Sequence, residues 1–103
     1  MKYIIYITLF ILIQACSQKT EEIKTQVQGD SLKQQMIEAY NLGVVALENG
    51  DVLFAAKKFN EAELFFPQSE WAPKAALMAS YAYWTQGYYS DSINELKRFI
   101  KRY

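Results

Sequence analysis

Few side chains in this sequence have the chemistry of an active site. The chain contains no histidine and one cysteine, so it lacks the most common general base and most of the usual zinc ligands. The four glycines lie far apart and form no glycine-rich phosphate loop. Ser90 and Ser92 carry hydroxyl groups, but no base lies near them in sequence, so we expect this segment to cap a helix. These features predict a protein that is not an enzyme and holds no metal.

The chemistry of Cys16 follows from its position. Lys2 gives a positive start, Tyr3–Ile13 is an apolar run, and Ala15 is a small residue directly before Cys16. This order is typical of an export signal, whose apolar core spans roughly 7–15 residues, whereas a transmembrane helix needs about 20. It resembles a lipobox, although Gln14 stands where a small or apolar residue is usual. We expect cleavage before Cys16; the alternative is an uncleaved N-terminal anchor.

A lipobox implies a covalent modification and a location. Residues 1–15 would be the signal peptide, and Cys16 would begin the mature protein with an S-diacylglycerol group and an N-acyl chain, the only cofactor that we expect. A lone cysteine in an exported protein needs such an explanation. Ser17 follows, whereas lipoproteins that stay in the inner membrane usually have aspartate there. We therefore expect a lipid anchor on the periplasmic side of the outer membrane of a Gram-negative bacterium.

Behind the cysteine, the sequence predicts a linker and then helices. Residues 16–30 are polar and lack aromatic side chains, which is typical of a flexible linker. The chain has 11 basic and 11 acidic residues, so charge gives no reason to expect nucleic acid as a partner. The predicted helices run from about Ser31 to Glu48, Val52 to Phe66, residues 70–73 to Gly87, and Tyr89 to Tyr103. We expect N-caps at Asp30 or Ser31, at Asp51 and at Ser69, and left-handed turn residues at Gly50 and Gly87.

The two halves of the helical region match each other. Gly87 lies 37 residues after Gly50, and at this offset apolar and small residues recur, which is the mark of a solenoid. In the first half, the spacing of five residues is that of the tetratricopeptide repeat: Gly43, Ala55, Phe59, Ala62 and Pro67. We predict an all-α fold of two tetratricopeptide hairpins, 31–67 and 69–103, forming part of a right-handed α-solenoid. The alternative is an unrelated amphipathic helical hairpin.

The sequence also resembles a particular family of tetratricopeptide lipoproteins. The lipobox and polar linker are followed by Tyr40-Asn41-Leu42-Gly43, a Phe66-Pro67 turn and a Trp-Ala-Pro-Lys-Ala opening from Trp71. This order is similar to that of the BamD family, the tetratricopeptide lipoproteins of the outer-membrane β-barrel assembly (BAM) complex. The resemblance implies a non-catalytic scaffold that helps to insert and fold β-barrel proteins. It implies as partners the barrel subunit BamA, other BAM lipoproteins, unfolded outer-membrane protein precursors and, through the lipid, the membrane.

Tetratricopeptide solenoids bind extended peptides in a groove lined by the first helix of each hairpin. The matching positions are apolar or aromatic and suit apolar or aromatic client side chains: Tyr40, Val44, Leu47, Leu77, Tyr81 and Trp84. The alternative is that several of them belong to the ordinary core between repeats. The basic end of the last helix, Lys97-Arg98 and Lys101-Arg102, is expected to be solvated, or else to face an acidic partner.

Other assignments remain open from sequence. Another tetratricopeptide envelope lipoprotein, such as a pilus-assembly or cell-division adaptor, would share these features. An envelope enzyme or peptidoglycan-linked protein would need a catalytic part outside this sequence. Two repeats rarely bury enough surface to be stable, so we expect either a truncated chain or a two-repeat protein that docks the edge of its last helix on a partner. That edge would present Ile93, Leu96, Phe99 and Ile100.

Overall fold

A computed structural model of the chain describes residues 28–103, and these residues contain helices and no strand. The helices are α1 (28–48), α2 (Val52–Phe65), α3 (Trp71–Thr85) and α4 (Tyr89–Arg102). Residues 32–103 form one compact unit. The all-α prediction is confirmed. The predicted leader, the lipobox and Cys16 lie outside the described residues, and within those residues we find no helix of the length and apolarity that a membrane crossing requires.

The two hairpin turns have the predicted chemistry. Gly50 and Gly87 adopt φ values of 79° and 81°, a left-handed conformation that glycine reaches without the penalty of a Cβ atom. After Gly50, the Asp51 side chain accepts a hydrogen bond of 3.3 Å from the backbone N–H of Phe54 and so caps α2. The sequence therefore predicts correctly where α1 and α3 stop and where α2 starts.

The other predicted caps are wrong. Residues 28–30 are helical, so neither Asp30 nor Ser31 starts α1, and the last three residues of the predicted linker are helical too. Glu70 precedes α3 without a side-chain cap, while the Ser69 hydroxyl donates to the Phe66 carbonyl at 2.8 Å. Residues 90–92 lie inside α4, which follows Tyr88. In the loop before α3, backbone turn bonds replace side-chain caps, as between the Ala72 N–H and the Ser69 carbonyl at 3.2 Å.

Small residues set the distances between neighbouring helices. Gly43 on α1 faces the ring of Phe59 on α2, which is fully buried. Because glycine has no side chain, the two helices of the first hairpin can approach closely at this point. On α2 and α3, fully buried alanines contribute little volume and allow close packing between helices: Ala55, Ala56, Ala62, Ala75, Ala76 and Ala79, each 0 % exposed. Gly43, one of the five positions of the repeat spacing, thus lies at the close contact between α1 and α2.

The helices stack so that the two hairpin turns lie together. The Gln86 side-chain N–H donates to the Gly50 carbonyl at 2.8 Å, joining the α3–α4 turn to the α1–α2 turn. Helices α2 and α3 pack together, as do α3 and α4. Since each short turn reverses the chain, α1 and α3 run in the same direction. Tyr40, near the middle of α1, meets Trp71, the first residue of α3, edge-on with ring centroids 5.6 Å apart.

Candidate peptide-binding groove

The six predicted groove residues divide between core and surface. On α1, Tyr40, Val44 and Leu47 are partly buried and pack against the apolar core. On α3, the equivalent positions are open: Leu77 is 42 %, Tyr81 49 % and Trp84 57 % exposed. Large apolar side chains that remain this exposed along one helix face are available to a partner. Their role in binding stays a prediction.

Tyr81 and Trp84 form the most prominent feature of this surface. They lie three residues apart on α3, which brings them to the same side of the helix, and their rings stack with centroids 6.0 Å apart and an interplanar angle of 26°. Each ring thus holds the other in place while its outer face stays in water. A preset aromatic pair can bind an apolar client side chain with less loss of rotamer entropy than two free rings.

A small notch lies between the middle of α1 and the first residue of α3. It encloses about 290 Å³ and contains Tyr40, whose ring also contacts Phe59 edge-on with centroids 5.3 Å apart. The wall from α3 is Trp71, and the Lys74 ammonium lies 4.5 Å from the centre of its ring. The sequence reasoning used Trp71 for the family resemblance and missed it as a site residue. An exposed tryptophan opening a helix was the signal that could have found it.

A second arrangement that the sequence reasoning missed joins α2 to α4. Glu63 is 1 % exposed, and both of its oxygens bind Arg98, at 3.0 Å (Oε1) and 2.8 Å (Oε2). Arg102 lies 3.3 Å from Oε1, and the Tyr103 hydroxyl donates to the same oxygen at 2.8 Å. The solvated basic end predicted for α4 is therefore wrong for Arg98, which binds Glu63, while Arg102 also pairs with Glu63 and keeps 43 % of its side chain exposed. The signal was a carboxylate within the apolar stripe of α2 and arginines four residues apart on α4.

These contacts set the charge of the buried carboxyl group. Burial raises the pKa of Glu63, but the hydrogen bonds from Arg98 and Tyr103 and the charges of Arg98 and Arg102 outweigh it, so the pKa lies below its usual 4.5. Glu63 is therefore ionised at neutral pH and acts as an acceptor for α4. Burial, followed by the hydrogen bond to Glu63, raises the pKa of Tyr103, so its hydroxyl stays a donor there.

Helices α3 and α4 meet through two serines. The Ser80 hydroxyl lies 3.0 Å from the Ser92 hydroxyl and 3.1 Å from the Ser92 carbonyl oxygen, and both residues are buried. These serines occupy the places of Gly43 and Ala55 in the first repeat, so the second hairpin replaces a bare glycine contact with a hydrogen-bonded pair. With its hydroxyl buried between helices, Ser92 is structural.

In residues 28–103, no cluster of His, Cys, Asp or Glu side chains could hold a metal ion. The one buried carboxylate there, Glu63, is occupied by α4. Along α3 the structure exposes a row of apolar and aromatic side chains, Leu77, Tyr81 and Trp84, and the notch lies beside the first residue of this helix.

Comparisons with known proteins identify a matching family and a relative. The profile of a family described as "Outer membrane lipoprotein", YfiO, matches residues 32–103. The chain is also 34 % identical over 64 residues to the outer membrane protein assembly factor BamD of Caulobacter vibrioides, a match over 62 % of this chain and 21 % of that protein. The chain thus spans about a fifth of the length of this relative. No solved structure matches.

Proposed function

The chain belongs to the YfiO family of outer membrane lipoproteins, and on this premise we propose that it is part of a lipid-anchored scaffold that binds unfolded β-barrel precursors for assembly at the outer membrane. The family places the protein at the outer membrane. The similarity to an assembly factor supports a role in outer-membrane protein assembly and a non-enzymatic one. These matches do not favour a pilus-assembly or cell-division adaptor.

One observation carries the proposed binding role: the stacked Tyr81–Trp84 pair stays exposed on α3 beside Leu77. Barrel strands facing a membrane alternate apolar and polar side chains and carry aromatic girdles. An extended segment of that kind would place every second side chain on α3. The proposed client is therefore the aromatic-rich C-terminal strand of a barrel precursor. BamA and the other BAM lipoproteins are the proposed neighbours in the complex.

The Tyr81→Ala and Trp84→Ala variants should each bind a barrel C-terminal peptide about tenfold or more weakly, because exposed aromatic anchors supply much of the energy of such interfaces. Fluorescence anisotropy with a labelled peptide measures this, and circular dichroism verifies the fold. The matched control is Tyr89→Ala, which removes an equally exposed ring from α4 and should leave the affinity unchanged. Equal affinities for all the variants would contradict the proposed groove.

The Cys16→Ser variant should lose its membrane attachment. We propose that Cys16 carries the acyl chains, and serine offers no thiol for the diacylglycerol. Metabolic labelling with radioactive palmitate should fall to background, and the protein should leave the outer-membrane fraction. Ser17→Ala is the control, because it alters the next side chain and keeps the thiol. Undiminished labelling of Cys16→Ser would disprove lipidation at this residue.

A further inference from the structure

The α3–α4 turn lies in an aromatic stretch of the chain that carries no charge. Residues 75–90 contain no Asp, Glu, Lys or Arg, and they cover most of α3, the turn and the first two residues of α4. Three rings near the turn are exposed and form what we call the turn surface: Trp84 at 57 %, Tyr88 at 41 % and Tyr89 at 60 %. Tyr88 and Tyr89 belong neither to the predicted groove nor to the contacts of Glu63, so neither feature explains why these rings face water.

Polar groups of the α3–α4 turn are hydrogen-bonded within the protein. The Thr85 hydroxyl donates to the Ala82 carbonyl at 2.7 Å. The Gly87 N–H donates to the Trp84 carbonyl at 3.1 Å, and the Gln86 side-chain N–H donates to the α1–α2 turn. Donors that already have protein partners lose little when water is withdrawn from them. The free-energy cost of moving this turn into a less polar medium is therefore small.

The residue types of the turn surface suit the boundary between a lipid bilayer and water. Trp and Tyr combine an apolar ring with one N–H or O–H group and are enriched at membrane interfaces. The family is one of outer membrane lipoproteins, which places a bilayer beside the protein. The charged residues that flank the uncharged stretch, Lys74 and Asp91, carry opposite charges, and Glu48 and Asp51 flank the neighbouring turn. Charge therefore favours neutral over anionic lipid at this surface.

We propose that Trp84, Tyr88 and Tyr89 enter the headgroup region of the outer membrane as a second membrane contact, in addition to the lipid proposed at Cys16. A lipid anchor keeps the helices at high effective concentration beside the bilayer, so a contact of three rings suffices. The anchor alone does not orient the protein, whereas the second contact turns this end of α3 toward the bilayer. Trp71 lies about 20 Å from Trp84 along the helix, at about 1.5 Å per residue. The inference goes beyond the proposed function, because it concerns lipid and not the client.

The two tryptophans of the chain report this contact. The full-length protein, purified from membranes, is reconstituted into phosphatidylcholine vesicles with or without bromine atoms on the upper acyl chains, which quench an indole only at close range. In Trp71→Phe, the fluorescence of Trp84 should fall by about half, whereas in Trp84→Phe that of Trp71 should stay unchanged. Adding Tyr89→Ser to Trp71→Phe should reduce the quenching about twofold or more. The matched control is Leu64→Ser, which removes a similarly exposed apolar side chain near the opposite end of α2 and should have no effect.

The outcomes separate this inference from the proposed function. Absence of Trp84 quenching, or equal quenching of Trp71, overturns the membrane contact and leaves the groove standing, because peptide binding is measured without vesicles. Failure of the peptide to bind, with Trp84 still quenched, overturns the proposed function alone. The quenching should persist from about 0.05 to 0.5 M salt and should not increase with anionic lipid. Loss of quenching at high salt would assign the contact to charged side chains and overturn the role of the rings. A photo-crosslink from position 89 to another protein, in place of lipid, would overturn it as well.

Discussion

The Arg98→Met variant should lose about 2–3 kcal/mol of its free energy of unfolding. Arg98 binds both oxygens of Glu63 and also contacts Asn60 and Glu95, so its removal leaves a buried carboxylate with Arg102 and Tyr103 alone. Breaking a fully buried pair costs about 3–5 kcal/mol, and the smaller value reflects the water that still reaches Arg98. A unit of this size is stable by roughly 0.05–0.15 kcal/mol per residue, so the loss is a large share of the total.

Urea titration followed by circular dichroism measures this loss, and Lys97→Met is the matched control. Lys97 is exposed on the same helix turn and forms no ion pair among the described residues. The free energy of unfolding of Lys97→Met should therefore stay within about 0.5 kcal/mol of that of the unchanged protein. The double variant Glu63→Met, Arg98→Met should recover much of the loss, since apolar replacement of both partners is often neutral. If the double variant is as unstable as Arg98→Met, the loss does not come from leaving Glu63 buried without its partner Arg98.

The Glu63 carboxylate should make the folded protein less stable at acidic pH. The pKa of Glu63 is lower in the folded chain than its usual 4.5, so protons bind the unfolded chain more readily. Its contribution is fully present above about pH 4.5 and is lost as the pH falls through the folded value. The urea midpoint should therefore drop with acidification below about pH 4.5, and Glu63→Gln should drop less steeply over the same range.

This cluster has a consequence for the groove. Helix α4 packs on α3 through Ser80 and Ser92, and it is tied to α2 through Glu63. The two attachments hold α3 between its neighbours, so its exposed face with Tyr81 and Trp84 is presented by a helix fixed from two sides. The position of the proposed binding surface thus depends on buried polar contacts behind α3 as well as on its own aromatic rings.

The sequence predicts this fold well where the local chemistry is decisive. Glycines at Gly50 and Gly87 and the cap at Asp51 mark turns because only certain residue types tolerate those backbone angles or supply that acceptor. The predicted cap at Ser69 is wrong because a backbone carbonyl accepts the hydrogen bond there. The predicted cap at Asp30 is wrong because α1 begins before this residue. Cap prediction is weak wherever alternative acceptors exist nearby.

The sequence predicts which helix positions belong to the candidate site, but it does not predict how buried each side chain is. The repeat register places Tyr40 and Leu77 at equivalent positions, yet Tyr40 packs against the core and Leu77 remains open. That difference arises from what lies across each residue: the rings of Phe59 and Trp71 contact Tyr40. Likewise the pairing of Glu63 with Arg98 joins residues on different helices, and periodicity within one helix carries no information about such partners.

The sign of a glycine substitution tests the packing of the first hairpin. Gly43 and Gly29 both lie in α1, where replacement by alanine should gain up to about 1 kcal/mol from helix propensity. A Cβ atom at Gly43 would lie 2.8, 2.9 and 3.0 Å from three ring carbons of Phe59. Phe59 is fully buried against Tyr40, so its ring has no free space to move into, and overpacking costs about 1–3 kcal/mol.

We therefore expect Gly43→Ala to lower the free energy of unfolding by about 1–2 kcal/mol, while Gly29→Ala, whose Cβ meets no heavy atom within 4 Å, raises it slightly. In a Phe59→Leu background the ring carbons are gone, and Gly43→Ala should become stabilising. Urea midpoints of the four proteins of this cycle give the coupling energy, expected at about 2–3 kcal/mol. A stabilising Gly43→Ala in the unchanged protein would mean that the two helices stand further apart, and that Gly43 has a reason other than contact with Phe59.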